Sequence, residues 1–481
     1  MMFFIIIYCL LVNSIAALGF GRNPTKDPSE DEFYNPPKGF ESKPVGTILR
    51  SRVEPGRLSN FLVPINVDGA WQILIRSQDS LDEPNVIAAT IIKPYNADPE
   101  KLISYQPFED GITSRCAPSY AIQLGSPFQD MATQLEMFNI DILLNQGYYV
   151  VIPDYEGPDS AFGAGKQAGY AILNTIKATL SSSKLTGLDP DANTIIYGYS
   201  GGGFSSAWAS MLQPSYAPKL KKNLIGAVIG GMIANTSAMI EVNDGTIFAG
   251  IIPNVLNGLA HQYTELQEFI RQKLNPKHAD KFYNTSECLF DAIVKWMLTT
   301  FFSGHDPFFP DGISILNLEP LKTILNDNNI VDQSINFVPQ IPIFIYHGSL
   351  DKICPVEDAR TTFNNWCSLG LKSGEFSEDK TSGHFVQTVI GTSPAVTWII
   401  GRMNGKPPVD GCTHKKRITS VAYPRAFKYS LGFIKTIIKA LVGFRLGPKL
   451  KDDTVDKFDN TEIASFMELG EKLNNIDLHV V

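Results

Sequence analysis

The chain has little of what nucleic-acid and metal proteins are built from. Its 481 residues carry 41 Lys and Arg against 49 Asp and Glu, a formal charge of −8. Without a basic excess there is no electrostatic footprint for a phosphate backbone, so nucleic acid is excluded as a partner. Histidines number seven and cysteines six, and none fall in zinc spacing. No glycine loop has the pattern that cradles a nucleotide phosphate. Neither a metal nor an organic cofactor is expected. Long apolar runs are also missing: beyond the N-terminus, no uncharged stretch reaches bilayer length.

The N-terminus itself, Met1-Met2-Phe3-Phe4-Ile5-Ile6-Ile7-Tyr8-Cys9-Leu10-Leu11-Val12, is too short to span and ends in Ser14-Ile15-Ala16-Ala17. An apolar core followed by small residues reads as a signal peptide over residues 1–17, although the usual basic start is absent. A secreted, extracellular protein follows. Secretion favours disulfides among Cys116, Cys288, Cys354, Cys367 and Cys412, and an odd count leaves one thiol over. Asn235 and Asn284 head N-x-S/T sequons and are candidate glycosylation sites.

Residues 18–50 are polar and proline-rich and read as an irregular arm, placed within a first segment of 18–60. Strands are expected at Trp71–Arg76, Val86–Ile92, Lys101–Gln106, Tyr148–Ile152, Thr194–Tyr197, Leu224–Gly230 and Ile341–Tyr346. Helical stretches pass through Leu135 to Leu143, ending near Gly147, and through residues 165–180. Strands alternating with helices indicate an α/β fold with a mostly parallel sheet covered on both faces. About 110 residues separate the strands at 224–230 and 341–346, whereas a crossover needs about a dozen. The excess has helical periodicity, with Leu266, Phe269, Ile270 and Leu274 on one face and Leu289, Ile293, Trp296 and Met297 on another. The expected division is core at 61–234, helical cap or lid at 235–335, core again at 336–424, and a C-terminal flap or tail at 425–481.

Gly198-Tyr199-Ser200-Gly201-Gly202 fits G-x-S-x-G, the turn that exposes a nucleophilic serine between a strand and a helix. Alone the match is weak. Its context strengthens it: a β-branched run precedes it, and a Gly-free stretch from Phe204 to Leu212 follows. A serine hydroxyl needs a histidine base and a carboxylate to orient that base. In folds of this type the chain order is Ser, acid, His. Asp351 follows the strand ending at Tyr346, on the edge where ligands gather. His384 lies in the later loop Thr381-Ser382-Gly383-His384, so Asp351 and His384 complete the set. His347 is the rival base, but it would reverse the order. Gly201 N–H is the first expected oxyanion donor.

The chain resembles the fungal secretory lipase family, the lipase A-type enzymes of yeasts. The likeness runs from about Ala70 to Cys412. It rests on Lys93-Pro94-Tyr95-Asn96-Ala97-Asp98-Pro99, Ser104-Tyr105-Gln106, Glu109-Asp110, Pro153-Asp154-Tyr155-Glu156-Gly157-Pro158, the Ser200 elbow, Tyr346-His347-Gly348, Trp366-Cys367 and Gly383-His384. The resemblance implies an α/β-hydrolase core with a helical cap and hydrolysis of carboxylic esters, triacylglycerols included, at a lipid–water interface. It maps the triad onto Ser200, Asp351 and His384 and gives Asp110 the second oxyanion contribution. It also implies the pairs Cys116–Cys288 and Cys367–Cys412, and a C-terminal flap near the site mouth. Residues 427–447, apolar but broken by Lys428, Lys435, Lys439 and Arg445, are the candidate flap. Two departures stand out: Cys354 replaces an apolar residue three positions after Asp351, and Phe385-Val386-Gln387 replaces a polar continuation after His384. The alternatives are a secreted esterase or acyltransferase, and an inactive hydrolase fold used for binding.

Overall fold

The computed structural model describes residues 26–60, 63–127, 130–283 and 288–450. The signal-peptide region 1–17, Asn284 and residues 451–481 lie outside the described residues. Among the described residues twelve strands occur in chain order: β1 Ile48–Val53, β2 Ser59–Asn60, β3 Val63–Pro64, β4 Gly69–Gln78, β5 Pro84–Lys93, β6 Asp98–Gln106, β7 Tyr148–Pro153, β8 Asn193–Tyr199, β9 Leu224–Gly230, β10 Ile343–Gly348, β11 Ser373–Asp379 and β12 Gly411–Arg417. Ten form one sheet in the order β1-β4-β5-β7-β6-β8-β9-β10-β11-β12. Pairing is antiparallel from β1 to β7 and parallel from β7 to β12. This is an α/β-hydrolase architecture.

The central strands β7 and β8 are buried on both faces, which is why they read as continuous apolar runs. Helices Gly165–Leu180 and Gly201–Tyr216 pack on one face, where Ile172, Ile176, Trp208 and Leu212 share a core with β-strand residues. Helices Met131–Asn145, Thr392–Met403 and Ala426–Leu441 contribute to a second core on the other face. Between β9 and β10 the chain is helical, from Thr236–Asn243 to Ile330–Gln333. Leu266, Phe269, Ile270 and Leu274 are buried there, beside an aromatic cluster of Phe282, Trp296, Phe301, Phe308 and Phe309. These residues join the first core without a break, so the insert has no separate hydrophobic interior. The expected face through Met297 stops short: the helix ends at Trp296 and Met297 is exposed.

Three elements differ from the sequence reading. The arm is not wholly irregular, since β1 pairs with β4 at the sheet edge. Strands β11 and β12 also form, although Ser373–Asp379 and Gly411–Arg417 look polar. Their polar groups are matched by partners far away in the sequence. Glu375 accepts from Trp398 Nε1 and Tyr423 Oη, and Glu378 accepts from Arg360, Ser349 and His414. Lysines on the outer strand protect the edge from further pairing. The candidate flap forms the helix Ala426–Leu441, laid against the helices Met131–Asn145 and Thr392–Met403. Ala426, Phe433, Thr436 and Ala440 are buried, while Phe427, Ile434, Ile438 and Leu441 face out. Cys116 is bonded to Cys288, tying the loop after β6 to the helical insert, and Cys367 to Cys412. Cys354 is a free, buried thiol.

Several carboxyls are buried in the interior. Burial pushes Glu54, Asp130, Glu136 and Asp141 up to about 8, and Asp154 to about 7. In the unfolded chain such groups titrate near 4. A carboxyl whose folded value is raised favours folding fully below its unfolded value and loses that contribution as pH rises through the folded value. Glu378 runs the other way: despite burial, Arg360, Ser349 and His414 hold it at about 2, so its contribution is lost only as pH falls from about 4.5 toward 2. Thermal stability is therefore expected to peak between about pH 4 and 5 and to fall steadily to pH 8, as a melting series would record. A melting temperature that rises over that range would contradict the assignment.

Candidate active site

Ser200 caps the helix Gly201–Tyr216 directly after β8, with φ 56 and ψ −120. That backbone is strained for a residue with a side chain, and such strain gathers at functional turns. The turn closes only because its neighbours lack Cβ: one added at Gly202 would lie 1.9 Å from the Gln106 carbonyl oxygen. The carboxyl ends of β6, β8, β10 and β11 all open on this edge, which brings Asp110, Ser200, Asp351 and His384 into one place.

His384 Nε2 lies 2.9 Å from Ser200 Oγ, and His384 Nδ1 lies 2.6 Å from Asp351 Oδ2. Asp351 Oδ1 accepts from the N–H groups of Ile353 at 2.9 Å and Cys354 at 2.8 Å. Ser200, Asp351 and His384 are each less than a tenth exposed. Burial alone would raise the Asp351 carboxyl, but His384 and His347 override it and hold the group well below the usual carboxylate range. Asp351 thus stays ionised although it is buried. His347, the rival base, sits at the end of β10 and faces Asp351 and the Cys354 carbonyl. Its Nε2 is not directed at Ser200, since it is taken by those acceptors.

Asp110 adopts φ 47, and a Cβ placed on Gly201 would meet its Oδ1 at 1.8 Å. The Asp110 carboxyl therefore lies against the start of the nucleophile helix. Burial pushes it up to about 7, so it carries a proton in mildly acidic medium and can donate a hydrogen bond. Two residues of the helical insert hold the site loops: Asn254 Nδ2 donates to the Asp110 carbonyl at 2.9 Å, and Asn243 Nδ2 to that of Ile353 at 3.1 Å. Tyr199 Oη donates to the His384 carbonyl at 2.7 Å. Glu136 Oε2 accepts from Phe108 N–H at 2.9 Å under the Asp110 loop. These supports were not visible in the sequence, because each joins distant positions; only Tyr199, inside the motif, carried any signal.

Asp351, Cys354 and His384 are the one grouping among the described residues whose ligand atoms could meet on a metal ion. Two of them already bond to each other and onward to Ser200. Around the triad, Leu350, Phe385, Val386 and Val389 are exposed, and Phe385 packs on Phe248 of the insert. An apolar rim beside Ser200 suits an apolar ligand. Asn235 caps the helix Thr236–Asn243, and its amide nitrogen contacts Asp358, so this sequon has a structural use.

Residues 122–411 match the family model described as "Secretory lipase". The chain belongs to the secretory lipase family. Among its relatives are Lipase 4 of Candida albicans, 46% identical over 434 residues covering 90% of this chain and 94% of that protein, and Lipase 5 of the same yeast, 45% identical over 433 residues covering 90% and 93%. The closed-state crystal structure of Candida antarctica lipase A superposes with a TM-score of 0.76 at 27% identity, covering 88% of this chain and 99% of that one. This lipase is accordingly a hydrolase acting on esters. No helix among its described residues is long and apolar enough to cross a membrane.

Proposed function

We propose that this lipase hydrolyses the carboxylic esters of triacylglycerols through an acyl-enzyme on Ser200. The observation that carries the reading is the unbroken chain Ser200 Oγ–His384–Asp351 at 2.9 and 2.6 Å on a strained elbow. Ser200 Oγ attacks the ester carbonyl while His384 Nε2 takes its proton. The oxyanion is met by Gly201 N–H and by the protonated Asp110 carboxyl. His384 returns the proton to the leaving alcohol. Water, deprotonated by the same imidazole, then releases the fatty acid. Asp351 holds His384 in the productive tautomer throughout. The helical residues 235–335 cap the site, and the apolar rim at Leu350, Phe385, Val386 and Val389 meets the acyl chains. The protein reaches the medium by way of a signal peptide at residues 1–17, and neither metal nor cofactor takes part.

Activity on p-nitrophenyl esters from acetyl to palmitoyl, together with emulsified triolein, tests the substrate. Triolein hydrolysis and kcat/KM rising from acetyl toward longer chains are expected. Activity confined to acetyl esters, with triolein untouched, would identify an esterase for short acyl groups instead.

A further inference from the structure

His347 has no part in the mechanism above, yet it is fully buried at the end of β10, a strand paired on both sides. Its Nε2 lies 3.0 Å from the Cys354 carbonyl oxygen and 3.3 Å from Asp351 Oδ2. A carbonyl oxygen only accepts, so Nε2 carries the hydrogen. The other ring nitrogen, Nδ1, is buried without a partner. Leaving a buried acceptor unpaired is costly, and a leucine of similar size would fill the place without that cost.

We propose that His347 is a second positioning histidine, sharing its one Nε2–H between the Cys354 carbonyl and the same Asp351 oxygen that receives His384 Nδ1–H. The inference rests on the reading of Asp351 as the catalytic acid. The two backbone N–H groups of Ile353 and Cys354 fix Oδ1. They leave Oδ2 held by His384 at 2.6 Å, the residue that must shuttle a proton and change charge in every turnover. His347 supplies Oδ2 with a donor that does not move, because its backbone is locked in the sheet. Its N–H helps to satisfy a carboxylate that burial has taken out of water. The geometry is a carboxylate clamped by two histidines, one catalytic and one static.

The test compares His347→Leu, His347→Gln and Asp351→Asn in the full-length enzyme on a soluble p-nitrophenyl ester, with melting temperatures measured in parallel. His347→Leu should lower kcat roughly 10- to 100-fold, the range seen when an outer partner of a working ligand is lost, with KM within about twofold. His347→Gln keeps an N–H and should recover most of kcat, while both variants melt alike. Should His347→Leu fail to fold, His347→Met removes the donor at similar volume and takes its place. Equal loss in the Gln variant and the donor-free variant, or an unchanged kcat without the donor, would overturn the proposal. An active Asp351→Asn would instead sink the triad reading beneath it.

Discussion

Replacing Ser200 by alanine is expected to lower kcat on a soluble ester by about 10³–10⁶-fold, with His384→Ala and Asp351→Ala falling in the same range. The losses should not add as free energies. Ser200, His384 and Asp351 form one hydrogen-bonded unit, so removing a second member after the first takes away little that remains. KM should change much less than kcat, since none of the three makes the apolar contacts with the acyl chain. Residual activity above the water rate would come from Gly201, Asp110 and substrate binding. Steady-state kinetics on the three single variants and one double variant check this. If His384→Ala stayed near normal while His347→Ala was dead, the base would be His347, against the geometry of its Nε2.

The second large effect is expected at Asp110. Its carboxyl titrates at about 7 because it is buried, so it is a donor below that pH and an anion above it. An anion beside the developing oxyanion repels it, so kcat should fall as pH rises through about 7. Asp110→Ala removes the donor and should lower kcat by about 10²–10³-fold at pH 5. Asp110→Asn keeps an N–H donor that does not titrate. It should retain much more activity than Asp110→Ala and lose the fall above pH 7. A profile of kcat against pH for the wild type and both variants decides the matter. An unchanged alkaline limb in Asp110→Asn, or near-full activity in Asp110→Ala, would remove Asp110 from the oxyanion site.

The parts of the fold legible in the sequence were those whose burial is uniform. Tyr148–Ile152 and Thr194–Tyr197 are apolar because both faces of the central strands are covered. The elbow was legible because a strained turn demands glycines at fixed offsets, and Asp351 and His384 could be ranked by chain order together with the place of Asp351 after a core strand. Strands β11 and β12 were not legible. Their stability comes from distant partners, such as Arg360 for Glu378 and Trp398 for Glu375, which leave no local periodicity. The same holds for the supports of the site. Asn254 stands 144 residues from Asp110, and Asn243 stands 110 from Ile353. Nothing in either neighbourhood announces the contact. In the sequence His347 stands four residues from an acid, but only the fold reveals that it faces that carboxylate and the Cys354 carbonyl rather than the serine. The C-terminal segment was readable as an amphipathic helix, yet not which of its faces the second core would take.

The most direct test is covalent. A fluorophosphonate probe reacts with a serine only where a base and an oxyanion site activate it. With the intact enzyme, one equivalent of probe should abolish ester hydrolysis, and peptide mapping should place the adduct on Ser200. Labelling should vanish in Ser200→Ala and slow in step with kcat in His384→Ala. An adduct on any other serine, or full hydrolysis by enzyme labelled at Ser200, would contradict the account.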